Sequence, residues 1–347
     1  MRKLLEKLSN TPGISGHEEA VRDIIRAEIE SYVNYIEVDT MGNLIATKKG
    51  DITNYNPSIM LAAHMDEVGL IVRYIDNDGY VFFNTVGGLF DQTLLNQKMV
   101  VHTKNGKYFG VIGSKPPHVM KAVEYDKVIK KDDMFLDIGA TSKKDAEKMG
   151  IEIGDQITFD SQFTVLHDDI VAGKAFDNRA GCVTLIETMK RMKDVKATVH
   201  AVFTVQEEVG LKGAKTSAYK LNPDFAFATD VTIAGDHPGI SMKEAPVKMG
   251  AGPAIIVSDG DGKGIIVPKI ILDRIKNTAE EYNIPIQLEA SGGGTTDGAA
   301  IHLTKAGIPT GVISIPTRYI HTPHSLLNMK DLEASINLLI KMLESWI

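Results

Sequence analysis

Seven side chains, spread over most of this 347-residue chain, have types and positions that could together hydrolyse a bond: His64, Asp66, Asp177, Glu207, Glu208, Asp230 and His321. Asp177 is the centre. It sits in A-G-K-A-F-D-N-R-A-G (172–181), a carboxylate among apolar Phe176, small Ala175 and Ala180, and flexible Gly173 and Gly181. A charge in such surroundings needs a partner, and a pair of metal ions bridged by Asp177 supplies one. Four further groups share one position, at or just past the C-terminal end of an expected strand: His64, Glu207–Glu208, Asp230 and His321. In open α/β sheets that edge is where ligands bind.

Imidazoles mixed with carboxylates suit zinc or cobalt, with manganese also compatible. Two ions about 3.5–4 Å apart make a hydrolytic centre, and a shared carboxylate is the natural way to hold them together. Five ligands then divide as His64 and Asp230 on one ion, Glu208 and His321 on the other, and Asp177 on both. Glu207 is left over and reads as the general base, close to the attacking water but off the metal. Both glutamates can face one site because the strand breaks at the following V-G turn. Asp66, two residues beyond His64, is placed to orient its ring. Taken singly these residues have plainer readings: a structural histidine, a solvated Glu-Glu pair, or Asp177 as a helix N-cap. The common sheet edge is what joins them.

The elements needed to build that edge are legible as patterns. Met1–Ser9 reads as a short helix, and Val21, Ile24, Ile25, Ile29 and Val33 recur at helical spacing, with Ser15 and Glu18 as a capping box. Tyr35–Val38 and Asn43–Thr47 read as a hairpin, and I-M-L-A-A at 59–63 as a strand buried on both faces. Residues 68–166 are rich in strands and turn signals, with one short helix near Ser142–Met149, and read as a small β-barrel or sandwich inserted into the first domain. Phe163–Leu166 reads as a strand leading to the Asp177 loop. Strands and helices then alternate: strands at Thr198–Val205, Phe225–Thr229, Ile255–Val257, Ile286–Glu289 and Ile308–Ile315; helices at Asn178–Met192 and Lys269–Tyr282, after the glycine-rich 291–298 segment, and at the C-terminus. The expected class is therefore α/β: a mixed, largely parallel sheet with helices on both faces. The expected catalytic domain comprises residues 1–67 and 167–347, interrupted by a β-rich domain at 68–166.

Composition excludes several functions. Hydrophobic content of 43% and charged content of 24% are those of a globular protein. A net charge of −7 argues against nucleic-acid binding, and 6% aromatic content against a stacking platform. No apolar run is long enough for a membrane span. The charged N-terminus does not read as a signal peptide. A single cysteine, Cys182, allows no intramolecular disulfide and reads as a buried, inert thiol. The expected location is cytoplasmic.

A-H-M-D-E, A-F-D-N-R-A-G, E-E-V-G, T-D-V and R-Y-I-H-T-P-H, in that order, resemble the M42 family of dinuclear metallo-aminopeptidases, which includes the TET and deblocking aminopeptidases and members labelled endoglucanases. P-G-I-S-G-H-E near the start and S-G-G-G-T-T-D at 291–297 extend the resemblance over essentially the whole chain. It implies metal ligands at His64, Asp177, Glu208, Asp230 and His321, Glu207 as base and Asp66 as the partner of His64. It also implies that the insert is a PDZ-like dimerisation domain, that two divalent ions are held per subunit, and that dimers assemble, often into a tetrahedral dodecamer. The activity implied is removal of N-terminal residues from peptides bearing a free N-terminus.

Rival readings are a carboxypeptidase or N-deacylase on the same fold, with Arg179 or Arg318 gripping a substrate carboxylate; a glycosidase; and a non-enzymatic scaffold. The glycine-rich segment lacks a phosphate-loop pattern. It reads as a place where backbone approaches substrate, with Asp297 capping the next helix. Thr232–His237 and Ser291–Thr296 are the expected walls of the pocket for the residue removed. His17, His102, His118, His167, His200, His237 and His302 show no ligand spacing, and His324 reads as supporting or superficial.

Overall fold

The computed structural model describes residues 1–50, 56–193, 195–290 and 292–346. Helices α1 (Arg2–Asn10) and α2 (Glu19–Ile29) lead into the antiparallel hairpin of β1 (Tyr35–Val38) and β2 (Leu44–Lys48), then β3 (Ser58–His64). The chain next forms β4 (Gly69–Ile75), β5 (Val81–Val86), β6 (Lys98–Thr103), β7 (Gly106–Ile112), β8 (Leu136–Asp137), α3 (Lys143–Met149) and β9 (Gln156–Phe159). It returns through β10 (Thr164–His167) and β11 (Ile170–Gly173) to α4 (Phe176–Arg191), β12 (Thr198–Thr204), α5 (Lys212–Leu221), β13 (Phe225–Ile233) and β14 (Ala254–Ser258). It closes with α6 (Lys269–Glu281), β15 (Gln287–Ala290), α7 (Asp297–Ile301), β16 (Thr310–Arg318), β17 (Ser325–Asn328) and α8 (Met329–Glu344). No described helix is long and apolar enough to cross a membrane.

An eleven-stranded sheet runs β1-β2-β12-β3-β13-β16-β17-β11-β10, with β14 also on β16 and β15 beyond it. Only the centre, β12-β3-β13-β16, and the β14-β15 pair are parallel. Both wings are antiparallel, so the sheet is mixed rather than largely parallel. The parallel centre is buried on both faces, as β3 shows. Ile59, Leu61 and Ala63 join the larger core under α4 and α8, whereas Met60 and Ala62 join the smaller one under α5 and α7. Each large apolar side chain removed from water there contributes roughly 1.5–3 kcal/mol, so this sandwich fixes where the strand ends stand.

The inserted strands close a barrel in the order β4-β5-β8-β7-β6-β9 around their own core, which includes Leu70, Phe83, Met99, Ile112, Leu136 and Ile157. The barrel ends at Phe159. The strand expected at Phe163–Leu166 appears as β10, but it pairs with β11 in the main sheet, which places the return earlier than residue 166. Strands β11 and β17, absent from the sequence reading, pair with each other between β16 and the edge strand β10. Their four residues each are too short to show a period. The capping box also does not form. Ser15 Oγ donates to Asp66 Oδ2 at 2.6 Å, and the Glu18 carboxylate accepts from Gly16 N and Gln206 N at 2.8 and 3.1 Å.

A buried charged cluster ties the N-terminal turn to the two ends of the insertion. Glu67 accepts from Lys174 Nζ at 2.7 and 2.8 Å and from Gly13 N at 3.1 Å. Arg179, with no exposed surface, donates to the carbonyls of Met65, Leu8, Thr11 and Gly13. Removing one partner strands a buried charge, which costs about 3–5 kcal/mol. Glu67→Leu is therefore expected to lower the urea midpoint sharply, and Lys174→Met added to it should recover much of the loss; equal midpoints for Glu67→Leu and wild type would contradict this.

Candidate metal centre and substrate cleft

β3 stops at His64 and β12 at Thr204, side by side in parallel register. Beyond β12, Gln206 takes φ +55, which ends the strand and lets both Glu207 and Glu208 line one cavity. Asp66 holds that turn: its Oδ1 accepts from Glu207 N at 3.0 Å and its Oδ2 from Glu208 N at 3.1 Å. The expected Asp66–His64 contact has a different form. His64 Nδ1 lies 3.1 Å from the Asp66 backbone carbonyl and 3.6 Å from Oδ1. The carbonyl steers the ring while the carboxylate organises the glutamates.

Asp230 lies inside β13 rather than beyond its end. Pairing of β13 with β3 stops at Ala228, so past that point the strand edge is open and Asp230 Oδ1 stands 3.7 Å from His64 Nε2. Asp177 does not cap a helix. It follows Ala175 at φ +57, keeps non-helical torsions, and forms a cis peptide with Asn178. Asn178 secures the loop, donating to Thr229 O at 2.8 Å and accepting from Gly181 N at 3.0 Å. A Cβ on Gly181 would lie 2.2 Å from Asn178 Oδ1, so only glycine fits. His321, at φ +59 after β16, turns back toward this loop.

These elements bring all the expected ligands together. Asp177 Oδ1 is 3.0 Å from His64 Nε2, and its Oδ2 is 3.2 Å from His321 Nε2. His64, Asp177 and Asp230 form one group able to hold an ion; Asp177, Glu208 and His321 form another. Glu207 belongs to neither, with Oε2 3.9 Å from His64 Nε2. Both Nδ1 atoms face backbone carbonyls, of Asp66 and of Gly88, which makes them N–H donors. Both Nε2 atoms then face Asp177 oxygens at 3.0 and 3.2 Å, a separation that requires either a proton or a metal cation between the two. Glu208 Oε1, buried, has no hydrogen-bond donor. The donor set thus fits two divalent cations.

The same crowding shifts the protonation of the ion-free centre. Burial raises Glu207 well above the carboxylate range; His64 opposes this, while Asp230, Asp297 and Glu208 add to it. Burial likewise raises Glu208 and Asp230. Burial would lower His321, but the Asp177 and Glu208 carboxylates beside it prevail and raise it to about 11. Asp177, although buried, is lowered by the two imidazoles.

The cavity over these groups has a volume of about 570 Å³. Its walls include Thr232 and Thr295–Thr296, as expected, together with Leu211, Ile233, Ile256 and Ile320; Ser291 lies outside the described residues. No Lys, Arg, Phe, Tyr or Trp is among the described lining residues. Arg179 is consumed by carbonyls, and Arg318 is paired to Asp236 at 2.7 and 2.9 Å. Neither is free to grip a substrate carboxylate. His324 contacts Ser161 at 3.1 Å and holds no place in the centre. Cys182 donates to the His64 carbonyl at 3.1 Å and burial pushes its thiol up to about 12, an inert state.

Asp297 was read as a cap, but Thr296 caps that helix, accepting from Gly298 N. Asp297 is instead buried beneath the centre, accepts from Thr204 Oγ1 at 2.5 Å, and is raised by burial to about 7. Only the fold reveals this, because the hydroxyl comes from a distant strand.

Residues 42–338 match the M42 glutamyl aminopeptidase family. The chain is 34% identical to a lysyl aminopeptidase of Pyrococcus furiosus over 99% of its own length and 96% of that protein's. Its fold superposes on the structure of an aminopeptidase from Desulfurococcus kamchatkensis with TM-score 0.95 and 41% identity, covering 99% and 94% of the two chains. A Pyrococcus horikoshii TET1 peptidase described as assembling into a tetrahedron or a large octahedral shell matches with TM-score 0.89 and 34% identity over 99% of both chains.

His321, His64, Glu207, Glu208, Asp230 and Asp297 all have folded-state pKa values above their ordinary ones. The ion-free fold therefore holds more protons than the unfolded chain, and this stability is lost as pH rises. Asp66 and Asp177 are lowered instead and act only at acidic pH. The melting temperature of chelator-treated protein should fall between pH 6 and 8.5, and a divalent ion should reverse the fall; a rise with pH would contradict the charge arrangement.

Proposed function

The chain belongs to the M42 glutamyl aminopeptidase family and is an aminopeptidase, a hydrolase; from that premise we propose how its cleft removes N-terminal residues from peptides. His64 and Asp230 would hold one divalent ion and Glu208 and His321 a second, with Asp177 available to both. Zinc or cobalt suits this set best, and manganese is compatible. The observation that carries the reading is the Asp177 carboxylate, one oxygen turned to each imidazole at 3.0 and 3.2 Å.

The bound ions supply the Lewis acidity that polarises a peptide carbonyl and makes water nucleophilic near neutral pH. Glu207 takes the proton from the attacking water at its carboxylate and delivers it to the leaving amine. Glu207 lines the cavity beside both ligand groups without belonging to either, the position a base for the attacking water needs. Asp66 keeps Glu207 in place through its backbone N–H. The substrate's terminal ammonium sits among carboxylates such as Glu208 and Asp230, and the described lining offers no cation to hold a carboxylate instead. This favours an aminopeptidase over a carboxypeptidase. The absence of aromatic walls disfavours a glycosidase.

The barrel, PDZ-like by resemblance, is the proposed dimerisation module of a cytoplasmic homo-oligomer. The shells described for the Pyrococcus horikoshii relative support dimers built into a tetrahedral dodecamer.

Glu207→Gln should lower kcat by about 10²–10⁴-fold with both ions still bound; near-normal turnover would remove Glu207 from the base role. Chelation should abolish cleavage of aminoacyl anilides, and cobalt or zinc should restore it. Leu211, Ile233, Ile256 and Ile320 line the cavity, so aliphatic anilides should be cleaved faster than acidic ones, and N-acylated peptides not at all. Preference for glutamyl or aspartyl anilides would overturn this pocket assignment.

A further inference from the structure

The two halves of the metal centre are not built alike. His64 and Asp230 are buried in the sheet, and the His64 ring is anchored by the Asp66 carbonyl two residues away. The other half reaches outside the sheet. His321 is 36% exposed against 2% for His64, and its Nδ1 lies 2.7 Å from the backbone carbonyl of Gly88. Gly88 belongs to the barrel, in the loop just after β5. The preceding residue touches the other ligand of the same half: a Cβ on Gly87 would lie 3.1 Å from Glu208 Oε2, 3.3 Å from Glu208 Cβ and 2.7 Å from Val68 Cγ1. Gly87 also has φ +80, a conformation that favours glycine. A Cβ on Gly88 would lie 3.3 Å from His321 Nδ1 and 3.6 Å from Cε1, against the bonded edge of the ring. The barrel therefore reaches into the centre as bare backbone, at two residues where an added Cβ would press on a ligand at 3.1 and 3.3 Å and oblige it to shift.

We propose that the Gly87–Gly88 loop is a positioning element of the centre, and that the half formed by Asp177, Glu208 and His321 holds its ion firmly only while the barrel is seated against it. By accepting from Nδ1–H, the Gly88 carbonyl fixes the tautomer and rotation that turn Nε2 to Asp177 and Glu208. Without it His321, on a surface turn at φ +59, has no other hydrogen-bond partner on that nitrogen among the described residues. The half formed by His64, Asp177 and Asp230 takes its three ligands from β3, β13 and the start of α4, and the carbonyl that anchors His64 from Asp66, with nothing from the barrel. This rests on the ligand assignment made above.

The test is a cobalt titration of ion-free, full-length protein, followed by calorimetry and visible absorption, on wild type and Gly88→Ala, with circular dichroism to verify the fold. Wild type should take up two ions. Gly88→Ala keeps the carbonyl but adds a Cβ 3.3 Å from His321 Nδ1, so it should bind one ion with unchanged affinity and the other about 10–100-fold more weakly, the usual effect of disturbing a ligand's supporting contact. In a His321→Ala background, Gly88→Ala should have no further effect. The inference is overturned if Gly88→Ala binds both ions as wild type does, weakens both equally, or still acts when His321 is absent. Wild type binding fewer than two ions would instead overturn the dinuclear ligand assignment, a separate and distinguishable failure.

Discussion

The constraint on which the centre depends is electrostatic. Asp177, Glu207, Glu208 and Asp230 crowd two imidazoles at one edge of the sheet, with no Lys or Arg among the described residues lining the cleft. Like charges 4 Å apart repel by about 4 kcal/mol at an effective dielectric constant of 20. Such a cluster persists only if cations or protons are shared within it and if the chain prevents its members from spreading. Each is pinned from behind: the glutamates by Asp66, Asp177 through the Asn178–Thr229 bond, Asp230 by the Val231 N–H, and the two rings by carbonyls. Gln206, Ala175, Tyr319 and His321 are non-glycine residues held at positive φ around the cleft. Such backbone costs of order 1–3 kcal/mol per residue and persists where surrounding packing imposes it.

That packing comes from the parallel centre of the sheet. Strands β12, β3, β13 and β16 run side by side and are covered on both faces, so their C-terminal ends form one rigid rim. The rim is uneven, and the unevenness is used. β3 and β12 stop early, exposing the edge of β13 at Asp230, while β16 runs on to carry His321 back over the gap. The barrel is inserted where β3 stops, so its loops enter the rim from the side without interrupting a strand.

Much of this was legible in the sequence because it depends on local patterns. Apolar runs marked the central strands, and the polar residues directly after them marked the rim. The helix–strand alternation and the turn-rich insert follow from periodicity. What stayed hidden depends on long-range pairing. The β1-β2 hairpin and the β10 strand were legible, but the pairing of the other wing was not, because β11 and β17 have four residues each and are defined by their partners. Asp297 passed for a helix cap because Thr204, which bonds it, lies 93 residues away. Ser15 looked like half of a capping box, yet a bond to Asp66 across the fold outweighs a local one. The Glu67–Lys174 pair was invisible for the same reason: neither residue lies in an apolar pattern that would show its burial. Gly87 and Gly88 carry no signal in the sequence, because their place in the centre depends on the side chains they lack.

The arginines show how charge is sorted across the cleft. Arg179 and Arg318 lie within the same motifs as Asp177 and His321, and a linear reading leaves them available to bind a substrate carboxylate. Folding turns both away. Arg179 runs beneath the rim to the carbonyls of the N-terminal turn, and Arg318 forms a two-point pair with Asp236 outside the lining. Their positive charge stabilises the frame, while the negative charge of the motifs faces inward. The two divalent ions proposed for the centre would offset most of that inward charge. Placement of any remaining carboxylate oxygen toward the cavity then favours an ammonium group over a carboxylate at the mouth of the site. The polarity of the substrate, N-terminus inward, thus follows from which member of each motif the fold hides.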